Sequence, residues 1–272
     1  MSDDAWRAAE RAQERAGVRI RTLEDLNDQA VAVRIFDQVW VMDSGASHVE
    51  SNLLRALIHS GGYLAAAFDS SSDEPVGAAF GVVGRHQTPG QPTLWHTHLH
   101  SHMAGVIDSH HNRSIGTAIK LHQRAWALSV EIDTIVWSFD PLVRRNAWLN
   151  LHKLGTEVRG YEPNFYGDMR DALNVGDPTD RVFAWWELNS PRAVAAAQET
   201  LPAVQVSGGD QVVIIPTPED IITVRAQAPE QAKDWRMRVR QQFLDAQESE
   251  LTVLGLDTEG SYVLAKKGRY DH

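Results

Sequence analysis

Four histidines occupy every second position in the segment WHTHLHSHMAGV, residues 95–106: His96, His98, His100 and His102. Successive side chains of a β-strand point to opposite faces, so this spacing predicts that the four imidazole rings share one face. The other face would then carry the intervening residues, Trp95, Thr97, Leu99, Ser101 and Met103. An imidazole can bind a metal ion or move a proton near neutral pH. The spacing alone leaves both kinds of chemistry open, with Asp140 or His152 as the third ligand of an H-x-H metal site.

The composition limits the classes of protein to consider. The chain has 272 residues, 43% of them apolar, which is enough for a globular protein with a substantial core. Its formal net charge of −10 argues against a general nucleic-acid binder, because such proteins present a broad basic surface. There is no cysteine, which excludes disulfides, thiolate nucleophiles and cysteine-based metal sites. No segment approaches the roughly 20 apolar residues of a membrane span, so we expect a soluble, cytoplasmic protein without nucleic-acid or membrane partners.

The spacing of apolar residues predicts an ordered series of helices and strands. Helices are predicted at residues 1–17, 24–42 and 48–61, and strands at 18–23, 63–69, 74–86 and 92–107. The turn-forming stretches SSSD and QTPGQ separate the last three strands, which predicts an antiparallel meander. A helix at 112–130, a strand at 133–139 and a helix at 143–155 follow, and this alternation favours local parallel pairing. The fold class is therefore mixed α/β, of the α+β type.

A second segment begins beyond about residue 190. The stretch PAVQVSGGD, residues 202–210, has the composition of a flexible joint. We therefore predict one domain over residues 1–190 and a C-terminal α/β subdomain over residues 208–272. The latter contains a strand and helix start in QVVIIPTPEDI, a long helix from residue 230 and a hairpin around TEG. Its order of strand, helix, helix, strand, strand weakly echoes the first half and suggests a partial extension of the same fold.

A turn between strand and helix, in VIDSHHNRSIGTAIKL (106–121), is the best candidate for binding an anion. A strand that opens directly into a helix leaves unpaired N–H groups at the positive end of the helix dipole, which suits a phosphate. Arg113 can add a charge-assisted hydrogen bond. The alternative is an ordinary helix start, at which Asn112 or Ser114 caps its own amides.

The meander, this turn and the following TIVWSFDPLVRRNAWLNLHKLG together resemble the GNAT superfamily of acyl-coenzyme A-dependent N-acyltransferases. The resemblance implies a mixed central sheet, flanked by helices, whose fourth and fifth strands splay apart to admit the thioester arm. It also implies an Arg/Gln-x-x-Gly-x-Gly/Ala turn that holds the pyrophosphate. The implied coenzyme A contacts lie at the strand end and in the turn: Ala104, Val106, His111, Asn112, Arg113, Ser114, Ile115, Gly116 and Thr117.

Two positions of the turn depart from the pattern of the family. His111 stands where Arg or Gln is usual, and Ser114 stands where the first Gly is usual. A second register, from Arg113 through Gly116 to Ala118, satisfies the formula but fits the hydrophobic spacing less well. A Cβ at the position of the first Gly hinders close approach of a phosphate, which predicts weaker cofactor binding.

Several segments narrow the resemblance to a bacterial GNAT subfamily associated with N-acylamino-acid racemases: LHSHMAGVIDSHHNRSIGTAI, WSFDPLVRRNAWLNLHKLG, RGYEPNFYG and DPTDRVFAWWEL. This resemblance implies transfer of an acetyl or succinyl group from acetyl-CoA or another acyl-CoA to a small-molecule primary amine, with an amino acid as the candidate acceptor. A homodimer is a further expectation.

The histidine segment divides under this resemblance. Attack on a thioester requires that an ammonium first lose a proton, which a histidine can accept. His100 and His102 stand 16 and 14 positions before Gly116. They resemble the H-x-H proton relay of serotonin N-acetyltransferases, so we predict that they form the catalytic base. His96 and His98 lie farther from this point and are interpreted as structural, and we expect no bound metal.

The proton donor for the departing thiolate is less clear from the sequence. Many GNAT enzymes use a Tyr four residues before a Gly on the helix after the fifth strand, and that position is Leu151 here. Tyr161 and Tyr166 in RGYEPNFYG replace it in type but not in place, and Tyr166 is the predicted catalytic tyrosine. Burial in a loop that covers the sheet, and departure of the thiolate without assistance, are the alternatives.

Three further residues are candidates for ligand contacts. Asn146 begins the helix face that contacts the pantetheine arm in the family, although it is also an ordinary capping residue. Asp140 either binds the acceptor amine or caps the same helix, and Arg181 either binds the acceptor carboxylate or forms a structural ion pair. Arg236 and Arg240 share one helix face, which favours a salt-bridged helix over an anion site.

Two other functions remain open at the level of the sequence. The missing Tyr, Ser114 and the C-terminal segment favour a catalytically weak GNAT-like protein that binds acyl-CoA as a sensor. The histidine segment alone would also suit a metal-dependent hydrolase.

Overall fold

A computed structural model describes residues 2–41, 47, 49–88, 91–167, 169, 177–204 and 212–266 of the protein. Its helices are α1 Ser2–Ala16, α2 Leu26–Val39, α3 Ser51–His59, α4 Ile115–Ser129, α5 Arg144–Trp148, α6 Pro191–Ala197, α7 Ile221–Gln227 and α8 Pro229–Glu248. Its strands are β1 Val18–Thr22, β2 Tyr63–Asp69, β3 Pro75–Thr88, β4 Gln91–Val106, β5 Thr134–Phe139, β6 Glu157–Glu162, β7 Arg181–Glu187, β8 Val213–Ile215, β9 Leu251–Leu256 and β10 Tyr262–Lys266. None of these helices is long and apolar enough to cross a membrane.

The main sheet has seven strands in the order β1-β2-β3-β4-β5-β7-β6. Strands β1 to β4 pair antiparallel in sequence order, which confirms the predicted meander. Strand β5 then pairs parallel with β4, as the strand and helix alternation predicted. The mixed α/β fold class is therefore confirmed.

The chain divides into two compact units that differ from the predicted domains. The first unit contains Met1–Trp137 and Glu187–Ser190, and the second contains Ser138–Trp186 and Pro191–His272. Residues 212–266 thus share a unit with residues 138–186. The domain assignment of 1–190 and 208–272 stays a prediction, and residues 205–210 of the predicted joint lie outside the described residues.

One face of the sheet in the first unit packs on α2. The core there includes Ile35 and Phe36 from α2, Phe80 from β3 and Met103 from β4. Removal of an apolar side chain of this size from water stabilises a fold by about 1.5–3 kcal/mol. This face is therefore a conventional hydrophobic core.

The opposite face packs on α4, a helix with buried residues on nearly every side. Its buried polar residues have specific partners, because an unpaired polar group in an apolar interior is costly. The Tyr63 hydroxyl lies 2.9 Å from His122 Nδ1, and Arg124 donates to the carbonyl of Leu188 at 2.6 and 3.0 Å. Lys120 donates to the Ser101 hydroxyl at 2.7 Å. The helix predicted from apolar spacing is thus a buried helix with polar side chains inside the first unit.

Three elements, β6, β7 and α6, were missed by the sequence analysis. Residues 157–162 form β6 and pair with β7, although RGYEPNFYG had been interpreted as a loop. Strand β6 is mostly exposed and contains Gly160 with φ of +103°, so it lacks the regular apolar alternation of a strand. Helix α6 is only seven residues long and rich in alanine, so its sequence has no apolar period of 3.6 residues from which a helix could be predicted.

The C-terminal strands form a separate sheet in the order β8-β10-β9. The predicted hairpin around TEG is confirmed, because β9 pairs antiparallel with β10. However, β8 pairs with the last strand of this group, whereas β1 pairs with β2. The echo of the first half in element order therefore does not extend to strand order.

Buried ion pairs connect α7 and α8 to residues 140–180 within the second unit. The Arg236 side chain, 1% exposed, donates to both carboxylate oxygens of Asp140 at 3.0 and 2.8 Å and to Asp177 at 2.9 Å. Arg225 also bonds both carboxylates, and Arg240 bonds Asp180 at 2.6 Å. The predicted salt-bridged face of α8 is confirmed in the described structure.

We expect Arg236→Met to destabilise the protein by about 3–5 kcal/mol, because Arg225 alone then remains to balance the two buried carboxylates of Asp140 and Asp177. Arg236 lowers the pKa of Asp140 against the opposing effect of burial. The contribution of this pair to stability is therefore complete above the ordinary carboxyl pKa and is lost as the pH falls below it.

Urea unfolding at pH 7 and at about pH 3 measures this difference, which should shrink at the lower pH. Arg238→Met is the matched control, because Arg238 is exposed on the same helix. A loss below about 1 kcal/mol for Arg236→Met would contradict the assignment.

Candidate active site

A β-bulge in β4 positions the histidines. Gly81 pairs with Ser101 and Phe80 pairs with Met103, so His102 is the extra residue in β4. The bulge interrupts the alternation of side chains, and Met103 packs beside Phe80 on the α2 face of the sheet. The predicted placement of Met103 on the face opposite the histidines is therefore wrong. The His102 ring remains beside His100, with ring centres 5.9 Å apart.

The histidines separate into two groups. The His86 and His98 Nδ1 atoms lie 3.1 Å apart, and the His86 ring stacks on His96 with ring centres 5.5 Å apart. His100 and His102 form the second group, nearer the end of β4, where His102 packs edge-on against Phe80. In the described residues, no group of three or more metal-ligating side chains has the geometry to hold a metal ion.

The surroundings of His100 and His102 keep both imidazoles neutral near pH 7. Burial, with smaller contributions from His102, His98 and Lys120, lowers the pKa of His100 to about 4. Partial desolvation also lowers the pKa of His102. A neutral imidazole can accept a proton, so both rings are in the protonation state that a base requires.

Strands β4 and β5 separate directly after these residues. Their ladder contains only the pairs Leu99 with Ile135 and His100 with Val136. Strand β4 continues to Val106 and keeps its pairing with β3 on its other edge. Residues 101–106 of β4 therefore have no ladder on the edge that pairs with β5, over about 20 Å at the rise of a strand.

The turn after β4 leads into an unsatisfied helix N-terminus. In the described residues, the N–H groups of Ser114, Ile115, Gly116 and Thr117 donate to no acceptor. Ser114 precedes α4 in a left-handed conformation, with φ of +60° and no capping bond from its hydroxyl. This is a conformation that favours glycine, so a serine is strained at this position. The alternative that the Ser114 side chain caps α4 is therefore wrong.

The charged side chains of this turn are already engaged. Arg113 donates to Asp69 at 2.8 Å and to the carbonyl of Ala16 at 3.3 Å. Hydrogen bonds from Ser71, followed by Arg113, hold the pKa of Asp69 well below its usual range. The His111 Nε2 lies 2.9 Å from the carbonyl oxygen of Val106. The free donors of the turn are consequently backbone N–H groups.

The second unit holds the other predicted residues. The Tyr166 hydroxyl lies 3.1 Å from the Ser138 hydroxyl, and the Arg181 guanidinium lies 5.4 Å from the Tyr166 ring centre. Arg181 is buried, and burial lowers its pKa while Asp140 opposes that effect. Asn146 lies in α5 and its backbone N–H donates to the carbonyl of Val143.

The Asp140 carboxylate is already bonded by other groups of the protein. Its carboxylate accepts from Arg225 and Arg236, and from the N–H of Leu142 at 2.9 Å. This geometry favours the alternative of a local backbone cap, extended by ion pairs. Leu151, which the sequence analysis excluded as the proton donor, is 1% exposed.

A polar cluster behind the separating strands was missed by the sequence analysis. Lys120 Nζ bonds Ser101 at 2.7 Å and Gln123 Oε1 at 3.3 Å, and lies 3.7 Å from the centre of the Trp137 ring. The available signal was Lys120 itself, an ammonium between apolar neighbours in AIKLH. Its burial could not be inferred, because the helix pattern does not reveal that α4 is covered on both sides.

Comparisons with known proteins give structural neighbours alone. No family model and no curated protein matches the chain. Among solved structures, an N-acetyltransferase from Staphylococcus aureus Mu50 is similar at 16% identity and a TM-score of 0.43, covering 64% of this chain and 99% of that chain. A GNAT family acetyltransferase from Elizabethkingia anophelis, solved with acetyl-CoA bound, is similar at 14% identity and a TM-score of 0.46, covering 63% of this chain and 99% of that chain. Mosquito arylalkylamine N-acetyltransferase like 5b is similar at 15% identity and a TM-score of 0.44, covering 62% of this chain and 98% of that chain.

TM-scores below 0.5 at this identity do not establish membership of a family or a shared activity. The function of this chain must therefore be inferred from its own strand topology and from the geometry of the site.

We expect Ser114→Gly to stabilise the protein by roughly 0.5–1 kcal/mol, because glycine adopts the left-handed conformation without the clash of a Cβ. Thermal or urea unfolding measures the change. Ala125→Gly, in the interior of α4, is the opposite control and should destabilise by about 1 kcal/mol or more. A destabilised Ser114→Gly protein would mean that the hydroxyl, and not the backbone conformation, is important at this turn.

Proposed function

We propose that this protein is an acyl-CoA-dependent N-acyltransferase of the GNAT superfamily. The proposed reaction moves an acetyl or succinyl group to a primary amine, with an amino acid as the candidate acceptor. The observation that carries the proposal is the separation of the parallel strands β4 and β5 after two ladder pairs, with β4 leading into an unsatisfied helix N-terminus.

The separated strands suit an extended arm that contains amide groups. The edge of β4 from Ser101 to Val106 has backbone donors and acceptors without a partner strand. Backbone groups that lack a partner strand are free to bond another molecule that carries donors and acceptors. Coenzyme A has an arm with two amide groups, and Ala104, Val106 and, from α5, Asn146 are proposed to contact it.

The turn suits the diphosphate at the other end of the same molecule. The backbone N–H groups of residues 114–117 lie at the positive end of α4, where an anion is stabilised. His111, Asn112 and Arg113 complete the proposed binding loop. Because Arg113 is paired with Asp69, we assign recognition of the anion mainly to the backbone.

The histidine pair is proposed to take the proton from the acceptor amine. Acyl-CoA supplies the acyl group as an activated thioester. His100 lies in the last ladder pair before the strands separate, and His102 lies at the bulge beside it. Their lowered pKa values leave the rings neutral and able to accept a proton directly or through water.

The remaining candidate residues belong to the second unit and are proposed from their own surroundings. A carboxylate of an amino acid is a suitable partner for the buried guanidinium of Arg181, and Tyr166 beside it is the sequence-predicted acid. We leave Asp140 as a weaker candidate for binding the amine, since two arginines already bond its carboxylate. A homodimer and a location in the cytoplasm stay predictions.

A second candidate function is an acyl-CoA sensor with little turnover. The observation that favours it is the buried Leu151 in place of the usual tyrosine, together with Ser114 in place of glycine. Binding of acyl-CoA without transfer to any member of a broad amine panel would support this alternative.

The proposed cofactor site predicts that a negative charge at position 114 weakens the binding of acyl-CoA. We expect calorimetric titration to detect acetyl-CoA or succinyl-CoA binding, and Ser114→Asp to weaken it by tenfold or more through repulsion of the diphosphate. Ser114→Asn is the neutral control of similar size. Absence of binding to either acyl-CoA at millimolar concentration would overturn the proposed function.

The proposed relay predicts that His100→Gln with His102→Gln lowers kcat/KM by about 10²-fold or more, the usual contribution of a general base. His96→Gln on the same strand is the matched control and should have little effect. Because the pKa values of both histidines are lowered, protonation of the relay should reduce kcat only at a pH below the ordinary histidine pKa of about 6.5. Equal losses in all three histidine positions would contradict the relay.

A further inference from the structure

Lys120 lies at the point where β4 and β5 separate. Its Nζ is 2.7 Å from the hydroxyl of Ser101 and 3.7 Å from the centre of the Trp137 ring. Ser101 and Trp137 are the residues that directly follow the last ladder pair, His100 with Val136. The Lys120 side chain therefore reaches from α4 to both strands at the start of the gap between them.

The surroundings of Lys120 are unusual for an ammonium group. The residue is 5% exposed, and in the described part of the chain it forms no ion pair with a carboxylate. Beside it, the buried Gln123 Nε2 has no hydrogen-bond partner. Two adjacent nitrogen groups thus face an interior without negative charge, which is where an additional polar group would be accommodated.

We propose that Lys120 is the proton donor for the departing thiolate of the acyl-transfer reaction. This inference rests on the proposed function, because that function places the thioester between β4 and β5. It assigns to α4 the acid that Leu151 cannot supply from the helix after β5.

The neutral acceptor amine first attacks the thioester carbonyl carbon, so that the C–N bond forms and the carbonyl π pair moves to oxygen. When the bond between the acyl carbon and sulfur then breaks, its electron pair goes to sulfur, and the Lys120 ammonium gives one proton to that sulfur. The acyl carbonyl forms again, and the products are the amide and the free thiol. The neutral Lys120 amine then recovers a proton from water, while the proton lost by the acceptor amine leaves through His100 or His102.

The acidity of Lys120 fits this step. Burial lowers its pKa to about 7, so a protonated Lys120 is a stronger acid than an ordinary thiol, whose pKa is about 8.5. The groups that face it are Ser101, Gln123 and the Trp137 ring, and its charge also lowers the pKa of His100. A proton on Lys120 and a neutral His100 are therefore mutually compatible.

Two variants of Lys120 test whether it gives a proton or only a charge. We expect Lys120→Met to lower kcat by about 10²-fold or more, the usual contribution of an acid, with the KM for acyl-CoA nearly unchanged. Lys120→Arg retains the charge but cannot give up its proton, so we expect a similar loss. Lys233→Met, at an exposed lysine outside the proposed site, is the matched control and should keep the activity. Tyr166→Phe removes the other candidate acid and is used for the pH profile.

The pH profile adds a second test of the same assignment. In the wild-type protein kcat should fall as the pH rises through the pKa of Lys120, and this basic limb should be absent in Lys120→Met. Recovery of activity in Lys120→Arg, a Lys120→Met rate within threefold of wild type, or loss of the basic limb in Tyr166→Phe would each overturn the proposal.

A readout without turnover separates this inference from the proposed function. Bound coenzyme A should show a lower thiol pKa, measured by the ultraviolet absorbance of the thiolate, in the wild-type protein than in Lys120→Met. Thermal unfolding checks that the variant folds. At pH 7 the unfolding temperature of Lys120→Met should be higher than that of the wild type, because burial of the ammonium destabilises the wild-type protein. This difference should be largely lost by pH 10, because burial penalises the ammonium only while Lys120 is protonated in the unfolded chain. If coenzyme A binds and the thiol pKa is equal in both proteins, the Lys120 assignment fails. If it does not bind at all, the proposed function fails with it.

Discussion

Strands β4 and β5 pair at only two positions, and this short ladder determines where chemistry can occur in the first unit. Leu99 with Ile135 and His100 with Val136 hold the strands together, and beyond them β4 keeps its partner on one edge alone. Backbone groups on the other edge are left to pair with something that is not a strand. Every candidate residue of the first unit is placed relative to this edge, including the bulge at His102 and the turn that begins α4.

Helix α4 combines two roles that normally conflict. In the proposed function its N-terminus stays unsatisfied to attract an anion, whereas its middle turns are buried on nearly every side. Burial of Lys120 without a carboxylate costs free energy, since desolvation disfavours the charged form. The structure tolerates this cost through the Ser101 hydroxyl, the Gln123 carbonyl and the face of Trp137. An apolar residue in this place would pack at less cost, so the lysine is more easily explained by function than by stability.

The second unit solves a different electrostatic problem. Asp140 follows β5 and would be a buried, uncompensated charge on its own, and Arg225 and Arg236 from α7 and α8 provide its counter-charges. Asp180 forms an ion pair with Arg240 in the same way, and its carboxylate also accepts a hydrogen bond from the Tyr161 hydroxyl. The helices of the C-terminal segment are therefore part of the charge balance of residues 140–180. This explains why the compact units do not follow the boundary that composition predicts.

The sequence by itself determined the elements with strong local patterns. Apolar periodicity located the meander, α4 and the parallel strand β5, and the HHNRSIG turn indicated the helix start whose left-handed Ser114 resembles a glycine position. Tertiary structure alone decided that Met103 turns to the α2 face, that Lys120 is buried against Ser101 and that Arg236 neutralises Asp140. Patterns of a few residues encode backbone conformation, whereas these contacts join residues that are distant along the chain. Their positions depend on a bulge, on the covering of α4 and on the approach of α8, none of which has a local signature.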